Sequence, residues 1–286
     1  MKLQIANKDR ALLLVASLAL AAIAVIGWSL AGEPALIVLQ LLASLLLLVV
    51  LLVMYARLSE EMREIQRVHE YRRKQDYRQI ESLFSLFFAL KPDLPLPTAR
   101  GWAASPDLLR KITEVILTEK PRLVVEASSG VSTLIIAYCL RRLGAGKVVS
   151  LEHDAEYASS NRSLISSHGL EDIATIVHAP LKEFDLNDGQ WLWYDSDRLN
   201  IDQPIDLLVV DGPPGDIQKL SRYPAVPLLY SRLNSRATII LDDGHRPDEK
   251  EIVARWEEEF SHVSSEFLDT EKGTYVIRKN ERGAGG

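Results

Sequence analysis

The chain has 286 residues, of which 47% are hydrophobic, and its formal net charge is −6. It contains one cysteine, Cys139, so no disulfide can form within the chain and a disulfide-stapled secreted scaffold is excluded. Apolar segments recur along nearly the whole sequence, which excludes intrinsic disorder as its main state.

Two apolar runs near the N-terminus predict a transmembrane helical hairpin. Residues 11–56 contain a single charged side chain, Glu33, which lies between the two runs beside a glycine and a proline. Each run is long enough for the roughly 20 helical residues that cross a bilayer core. We expect helices over residues 11–31 and 35–56, after a short tail at residues 1–10. A cleaved signal peptide is the alternative, but it does not explain a second apolar run directly after the first.

Lysines and arginines flank the hairpin and predict its orientation. Three of them lie in residues 1–10 and seven in residues 57–78, whereas the turn has none. Because basic residues concentrate on the cytoplasmic side, we expect both termini and the domain that follows the hairpin in the cytoplasm, at a bacterial-type inner (plasma) membrane. Basic flanks also attract anionic lipid headgroups, so the lipid bilayer is a predicted partner.

Residues 57–98 predict a charged juxtamembrane helix that ends in a proline-rich linker. Leu58, Met62 and Ile65 share one helix face, but the heptad is interrupted at residues 69–74. A homo-oligomer contact through residues 57–90 is one interpretation, and a helix lying on the membrane or on the next domain is the favoured one. The prolines before Thr98 cannot continue a helix, so we place the domain boundary there.

Residues 99–280 alternate strand and helix patterns, and residues 281–286 read as a flexible tail. Strands that are apolar along their whole length, separated by helices, predict an α/β domain with a parallel sheet covered on both faces. The domain carries more acidic than basic side chains, so it is a poor candidate for binding nucleic acid. We expect helices at residues 106–118, 132–143, 155–167, 217–232 and 248–260, and strands at 123–127, 147–152, 173–178, 205–211, 237–242, 263–268 and 274–278.

Polar side chains end four of these strands. Parallel sheets bind ligands outside the carboxyl ends of their strands, so these residues are the candidate site. Asp, Ser and Gly are also ordinary turn and cap residues, but four acidic strand ends on one edge would repel each other without a ligand or cation. The candidates are Glu126, Ser128, Ser129, Gly130, Ser132 and Thr133 after the first strand, Glu152 and His153 after the second, Asp211 after the fourth, and Asp242, Asp243 and His245 after the fifth.

The ligand is predicted to carry positive charge and no phosphate. The sequence after the first strand lacks the G-x-G-x-x-G pattern of dinucleotide sites and places Glu126 there instead. A carboxylate repels phosphate but suits an ammonium group. Glu152, 26 residues later, is placed to accept hydrogen bonds from a ribose diol.

With these features, residues 99–280 resemble the class I S-adenosylmethionine-dependent methyltransferases, in particular bacterial ones with a Gly-Val-Ser-Thr loop, here at residues 130–133. Residues 124–133 stand in place of the first motif of the family, with Ala127 or Ser128 where its second glycine is usual. The resemblance implies a Rossmann-like sheet of strand order 3-2-1-4-5-7-6 with the last strand antiparallel. It also implies S-adenosyl-L-methionine as cofactor, bound by Glu126, Ser128, Ser129, Gly130, Ser132, Thr133, Glu152, His153 and Asp211.

The acidic residues after strands four and five resemble the catechol O-methyltransferase arrangement, in which an aspartate and an Asp-Asn pair hold magnesium. The resemblance implies that Asp211, Asp242 and Asp243 bind Mg²⁺ or another divalent cation. The catalytic lysine of that family is replaced by Pro214, so Asp211 and His245 are our candidate catalytic residues, His245 as the base. The alternative is that residues 243–244 form only a turn and that His245 lies on the surface.

The predicted function is a membrane-anchored methyltransferase that acts on a hydroxyl group of a small-molecule, glycan or other membrane-proximal acceptor. Trp191, Trp193 and Tyr194 either stack on that acceptor or pack as a β-hairpin, and the sequence leaves both open. The competing interpretations are an NAD-dependent Rossmann oxidoreductase and an inactive membrane scaffold with a methyltransferase fold.

Overall fold

The structure is a computed structural model that describes residues 15–19, 21–23, 25–27, 33–186, 189–260 and 262–280. The chain divides into two compact units, Met1–Lys74 and Gln75–Gly286. This division falls before the proline-rich segment at which we placed the domain boundary, so the last turns of the first long helix belong to the second unit. The predicted tails at residues 1–10 and 281–286 lie outside the described residues.

The first unit is helical wherever it is described. Helix α1, Glu33–Leu90, runs unbroken through the expected end of the second span at residue 56, because the sequence after Pro34 has no proline or glycine until residue 92. Its apolar part is long enough and apolar enough to cross a membrane, by length and composition. The other predicted span, residues 11–31, is helical at residues 15–19, 21–23 and 25–27, and its remainder lies outside the described part, as does residue 32 of the turn. Residues 33 and 34 of the expected turn already belong to α1.

The second unit is built on a seven-stranded sheet. Its strands lie in the order β3-β2-β1-β6-β7-β9-β8, and β9 is antiparallel to both of its neighbours while the other pairs are parallel. Numbered within this sheet alone, the order is 3-2-1-4-5-7-6, so the predicted Rossmann-like α/β arrangement is confirmed. The strands are β1 Leu123–Ala127, β2 Lys147–Glu152, β3 Ala174–His178, β6 Ile205–Val210, β7 Leu233–Leu241, β8 Val263–Leu268 and β9 Thr274–Lys279.

Helices cover both faces of this sheet. Side chains of a strand point alternately to its two faces, so Val124 packs into one apolar core and Val125 into the other. Prolines begin two of the helices, where the missing N–H costs no hydrogen bond. The helices are α2 Pro106–Glu119, α3 Val131–Leu143, α4 Ala155–Ser167, α5 Ala225–Leu229 and α6 Pro247–Glu259, with short 3₁₀ turns at Ser196–Arg198 and Tyr230–Arg232.

Two segments between β3 and β7 resolve or correct the sequence analysis. Strands β4, Leu181–Leu186, and β5, Gly189–Tyr194, form a separate antiparallel pair in which Trp193 and Tyr194 are buried, so the aromatic cluster is a packed hairpin. The helix expected over residues 217–232 is wrong, because only α5 and the following 3₁₀ turn are helical there. Pro224 immediately precedes α5 and Pro227 lies in its first turn, and a proline is tolerated only at such a helix start.

Candidate functional site

The carboxyl ends of β1, β2, β6 and β7 bring the predicted site residues to one edge of the sheet. Backbone hydrogen bonds continue past the strand ends, from the Asp211 amide to the Ala127 carbonyl and from the Asp242 amide to the Val210 carbonyl, each 3.1 Å long. The acidic residues form two groups along this edge. We call Glu126 and Glu152 the β1–β2 pair, and Asp211, Asp242 and Asp243 the β6–β7 cluster.

Glu126 is fully buried and lies opposite Ser150 in the sheet register. Its Oε2 accepts hydrogen bonds from the Thr133 hydroxyl at 2.5 Å and from the Ser150 hydroxyl at 2.6 Å. Its Oε1 is also buried and has no hydrogen-bond partner among the described residues. Burial raises the pKa of the Glu126 carboxyl to about 7, although the surrounding hydroxyl groups lower it in part. Glu126 therefore has an unused buried oxygen that a ligand cation would satisfy.

The loop between β1 and α3 connects the two members of the β1–β2 pair. The Ser129 hydroxyl donates to Glu152 Oε2 at 2.9 Å and accepts from the Asn161 side-chain amide at 2.8 Å. The Gly130 amide donates to the Thr133 hydroxyl at 3.1 Å, and a Cβ added at Gly130 would meet nothing within 4 Å. The loop and the first turn of α3 thus place the Ser129 hydroxyl against Glu152 and the Thr133 hydroxyl against Glu126, and they leave open space at Gly130. Ser128 begins this loop with a left-handed φ of +122°.

The Ser129 hydroxyl and the Asp154 amide donate to the Glu152 carboxylate, and His153 lies beside it. Its Oε1 accepts from the Asp154 amide at 3.0 Å and lies 3.1 Å from His153 Nδ1. Burial raises the pKa of Glu152, but the contacts with His153, the Asp154 amide and Ser129 outweigh burial, and the net pKa is lowered. The close contact with the Glu152 carboxylate raises the pKa of His153 in turn. The structure therefore brings together the predicted pair, their serine and threonine neighbours and His153.

The β6–β7 cluster places three carboxylates close together. One side-chain oxygen from each of Asp211, Asp242 and Asp243 lies within 4.8 Å of the others. Asp242 is 1% exposed, and neither of its carboxylate oxygens has a hydrogen-bond partner in the described part of the chain. Burial, together with the neighbouring Asp211 and Asp243, raises the pKa of Asp242 well above its usual value.

Arg222 is the main cation beside this cluster, and the sequence analysis missed it. Its side chain is 3% exposed, and its Nη2 donates to Asp243 Oδ2 at 2.6 Å and to Asp211 Oδ1 at 3.3 Å. Its Nη1 donates to the backbone carbonyl of Asp242 at 2.9 Å. No motif marks this residue, which lies in the irregular segment between β6 and α5 where the sequence predicted a helix.

Two further cations approach the cluster from other loops. Arg246 Nη1 lies 3.0 Å from Asp243 Oδ2, and Lys272 Nζ lies 3.8 Å from Asp242 Oδ2. Asp243 itself has a left-handed φ of +60°. Arg222 contacts both Asp211 and Asp243, and Arg246 contacts Asp243 as well. Of the three carboxylates, that of Asp242 therefore has the fewest partners among the described residues.

His245 lies to one side of the cluster. Its Nε2 is 3.4 Å from Asp269 Oδ1 and its ring packs edge-on against Phe267, with centroids 5.4 Å apart. Among its described contacts, none joins the imidazole to Asp211, Asp242 or Asp243. The role of His245 as a base therefore stays a prediction without a supporting contact.

Comparisons with known proteins agree with this geometry. A family model described as "Methyltransferase domain" matches residues 127–244, which include the loop after β1, Glu152 and the β6–β7 cluster. No curated protein matches the sequence.

Among solved structures, SAH-bound methyltransferase PaMTH1 of Podospora anserina is 15% identical, with a TM-score of 0.50 over 70% of this chain and 88% of that one. The O-methyltransferase TomG of Streptomyces achromogenes, in complex with SAM, is 16% identical, with a TM-score of 0.49 over 70% of this chain and 90% of that one. An O-methyltransferase of Bacillus cereus in complex with SAH is 18% identical, with a TM-score of 0.47 over 71% and 90%. At such identities a structural likeness shows the fold alone. Of these three structures, PaMTH1, with a TM-score of 0.50, is the one similar enough to show it.

Proposed function

The domain match and the fold support an S-adenosylmethionine-dependent methyltransferase, and we propose that this enzyme is held at a membrane and transfers the methyl group to oxygen. The acceptor is a hydroxyl group of a carbohydrate, a small molecule or another membrane-proximal compound. The observation that carries the choice of donor is the β1–β2 pair, two buried carboxylates for which the described residues show no contact with a lysine or arginine. Such a pair suits a cationic donor without phosphate groups.

The residues after β1 and β2 fit this donor. Oε1 of Glu126 is available for its ammonium group, and the ionised Glu152 is available for its ribose hydroxyls. Open space at Gly130 lets a ligand approach the backbone there. When bound, the cofactor supplies an electrophilic methyl group on a sulfonium. We assign its binding to Glu126, Ser128, Ser129, Gly130, Ser132, Thr133, Glu152, His153 and Asp211.

The β6–β7 cluster fits a divalent cation. The two unpartnered, buried oxygens of Asp242 are hard ligands of the kind that Mg²⁺ and Ca²⁺ prefer, and Asp211 and Asp243 place further oxygens beside them. A bound divalent cation would lower the pKa of an acceptor hydroxyl and orient it. Arg222 fixes Asp211 and Asp243 through one oxygen each. We propose Asp211, at the junction of both acidic groups, as the residue that faces the reacting atoms.

The first unit supports attachment to a bilayer. Helix α1 is apolar enough to span it, and the basic residues that follow suit its charged surface. Gly27 is buried and would meet the side chain of Leu39 if it carried a Cβ, which supports a tight antiparallel hairpin with residues 11–31. By the charge rule, both termini and the catalytic unit lie in the cytoplasm, at a bacterial-type inner membrane.

Calorimetric titration of the full chain in detergent tests the donor assignment. We expect S-adenosylmethionine to bind and NAD not to bind. Glu152→Gln removes the negative charge of the carboxylate that would accept hydrogen bonds from the ribose hydroxyls. It should weaken S-adenosylmethionine binding about tenfold or more. The exposed Glu156→Gln on α4 is the matched control and should bind normally. Binding of NAD instead would favour the oxidoreductase, and binding of neither ligand would favour the scaffold.

Titration with Mn²⁺, followed by the paramagnetic signal of the free ion, tests the metal assignment separately. We expect one bound ion per chain, lost in Asp242→Asn, because that substitution removes a charged ligand without changing side-chain size. Methyl transfer that continues fully in EDTA, with no Mn²⁺ bound by the unmodified chain, would remove the metal from the proposal.

A further inference from the structure

Tyr194 is a buried side chain of the β4–β5 hairpin that reaches the candidate site. It is the last residue of β5 and is 1% exposed. Its ring packs edge-on against the rings of Trp193 and His153, with centroids 5.4 Å and 5.9 Å apart. His153 directly follows Glu152, so the hairpin brings this phenol to the edge of the main sheet where the acidic residues lie.

Gly212 shows where the hydroxyl group of Tyr194 lies. A Cβ added at Gly212 would collide with this hydroxyl, and the same point is 3.3 Å from the Ala127 carbonyl oxygen and from Ser128 Cβ. Gly212 directly follows Asp211, whose amide donates to the Ala127 carbonyl. Since β1 and β6 are neighbours in the sheet, the hydroxyl lies where the turns after these two strands meet, between the β1–β2 pair and the β6–β7 cluster.

The Tyr194 hydroxyl is free to interact with a ligand. It makes no hydrogen bond within the described part of the chain, yet it is not one of the fully enclosed atoms without a partner, as both carboxylate oxygens of Asp242 are. The small exposed surface of Tyr194 therefore includes its oxygen. Buried tyrosine hydroxyls usually have a partner, because an unpaired polar group costs stability. A ligand at this edge of the sheet would supply the missing one.

The surroundings of Tyr194 keep its hydroxyl un-ionised. Burial raises the pKa of Tyr194 well above its usual value, and the Glu152 carboxylate raises it further. Arg222 lowers this pKa in part, whereas Asp211 and Glu126 raise it. Carboxylates of both acidic groups thus act on one phenol, which agrees with its position between them. A neutral phenol presents an oxygen atom with partial negative charge to a ligand.

The parts of the assigned donor converge on this position. In S-adenosylmethionine the sulfonium sulfur is bonded to the amino-acid chain, to the ribose carbon and to the methyl group. We have assigned the ammonium group to Glu126, the ribose to Glu152 and the reacting methyl group to Asp211. The sulfonium is therefore expected between the two acidic groups, where the Tyr194 hydroxyl lies.

We propose that Tyr194 recognises the sulfonium of the donor and so favours the charged donor over S-adenosylhomocysteine, the uncharged thioether that remains after transfer. The inference rests on the proposed function and adds a residue that determines its specificity. Carbon atoms bonded to a sulfonium carry partial positive charge, so their C–H groups interact favourably with a phenol oxygen. The thioether lacks this charge and gains less from the same oxygen.

Calorimetric titration of the full chain in detergent with both compounds tests this assignment. Tyr194→Phe removes only the hydroxyl group. We expect the Kd for S-adenosylmethionine to rise about twofold to fivefold, the range for one such contact, while the Kd for S-adenosylhomocysteine stays unchanged. Tyr138→Phe is the matched control, because Tyr138 is also 1% exposed and its hydroxyl lies 2.6 Å from His168 Nδ1 in the other apolar core. This control should leave the ratio of the two Kd values unchanged.

Sinefungin gives a larger signal in the same titration. This compound resembles the donor but carries an amino-substituted carbon in place of the methylated sulfur. Its ammonium N–H group can donate a charge-assisted hydrogen bond to the Tyr194 oxygen, which is stronger than a C–H contact. Tyr194→Phe should therefore weaken sinefungin binding about tenfold or more. Equal affinities of the two chains for sinefungin would contradict the position assigned to the hydroxyl.

The outcomes separate this inference from the proposed function. If the unmodified chain binds neither S-adenosylmethionine nor S-adenosylhomocysteine, the proposed function fails and the role of Tyr194 fails with it. If the chain binds both and Tyr194→Phe changes neither affinity, or weakens both equally, Tyr194 only packs the hairpin. That result would overturn the inference and leave the proposed function standing. An equal shift of the Kd ratio in Tyr138→Phe would also overturn it, because the effect would then not depend on position.

Discussion

The β1–β2 pair and the β6–β7 cluster lie on the same edge of one sheet, and both consist of largely buried carboxylates, yet they are compensated in different ways. Hydroxyl groups, one backbone amide and His153 surround the β1–β2 pair. The guanidinium groups of Arg222 and Arg246 contact the β6–β7 cluster. Since burying an uncompensated charge is expensive, we expect a ligand cation to complete the β1–β2 pair, whereas in the β6–β7 cluster the protein compensates Asp211 and Asp243 and leaves Asp242 for a ligand.

The electrostatics of individual groups follow this division. Glu126 has no cation beside it in the described chain, and burial leaves its pKa at about 7. Arg222, although buried, has a raised pKa because Asp211 and Asp243 outweigh the cost of burial. The β1–β2 pair thus has no cation of the described chain beside it and suits an external one. In the β6–β7 cluster, Arg222 and Arg246 already neutralise Asp211 and Asp243, and Asp242 is the exception.

The largest effect is expected from Arg222→Met, which breaks the protein's own compensation. Removing one partner of a buried ion pair leaves uncompensated carboxylates and should lower the free energy of unfolding by about 3–5 kcal/mol. Arg246→Met is the control, because Arg246 is half-exposed and should cost about 1 kcal/mol or less. Urea unfolding, followed by the fluorescence of the buried tryptophans, measures both. Equal costs for the two variants would mean that the cluster does not depend on Arg222.

A pH-dependent effect is expected from the β1–β2 pair. The pKa of Glu126 is raised to about 7 in the folded protein, so the folded state holds a proton that the unfolded chain has lost. Stability should therefore fall as pH rises from about 4.5 to 7, by about 3 kcal/mol, and then level off.

Glu126→Gln, which cannot ionise, isolates this contribution. Its unfolding free energy, measured by urea titration between pH 4 and 8, should lack that part of the pH dependence. If the variant and the unmodified chain show parallel pH profiles, Glu126 does not titrate as the structure indicates.

The smallest effect is expected from the hydroxyl groups that orient the pair. Ser129→Ala removes one hydrogen bond to Glu152 and should weaken S-adenosylmethionine binding about threefold to tenfold, with little change in stability. Ser163→Ala, whose hydroxyl donates to the Ser159 carbonyl on the exposed side of α4, should leave binding unchanged. Calorimetric titration compares them, and equal affinities would show that the Ser129 hydroxyl does not position Glu152 for the ligand.

The strands of the sheet and the acidic residues at their ends could be predicted from the sequence, because the patterns that mark them involve residues adjacent in the chain. Strand β1 has the predicted bounds, since an apolar run that ends in Glu126 and a Ser-Ser-Gly turn is read without knowing its neighbours. The resemblance to methyltransferases added the strand order. The segment at residues 217–232 misled the sequence analysis because its apolar residues repeat with a helix-like spacing that Pro224 and Pro227 interrupt.

The sequence by itself determined the apolar spans, the alternation of strands and helices, and the acidic strand ends, because each depends on residues adjacent in the chain. Only the tertiary structure decided which charges compensate one another. Arg222 reaches Asp211 and Asp243, 11 and 21 residues away, through a loop whose path no periodicity encodes. Likewise, only the tertiary structure places the end of α1 beside residues 96–106, since the free energy of burying side chains depends on distant partners that a local pattern does not contain.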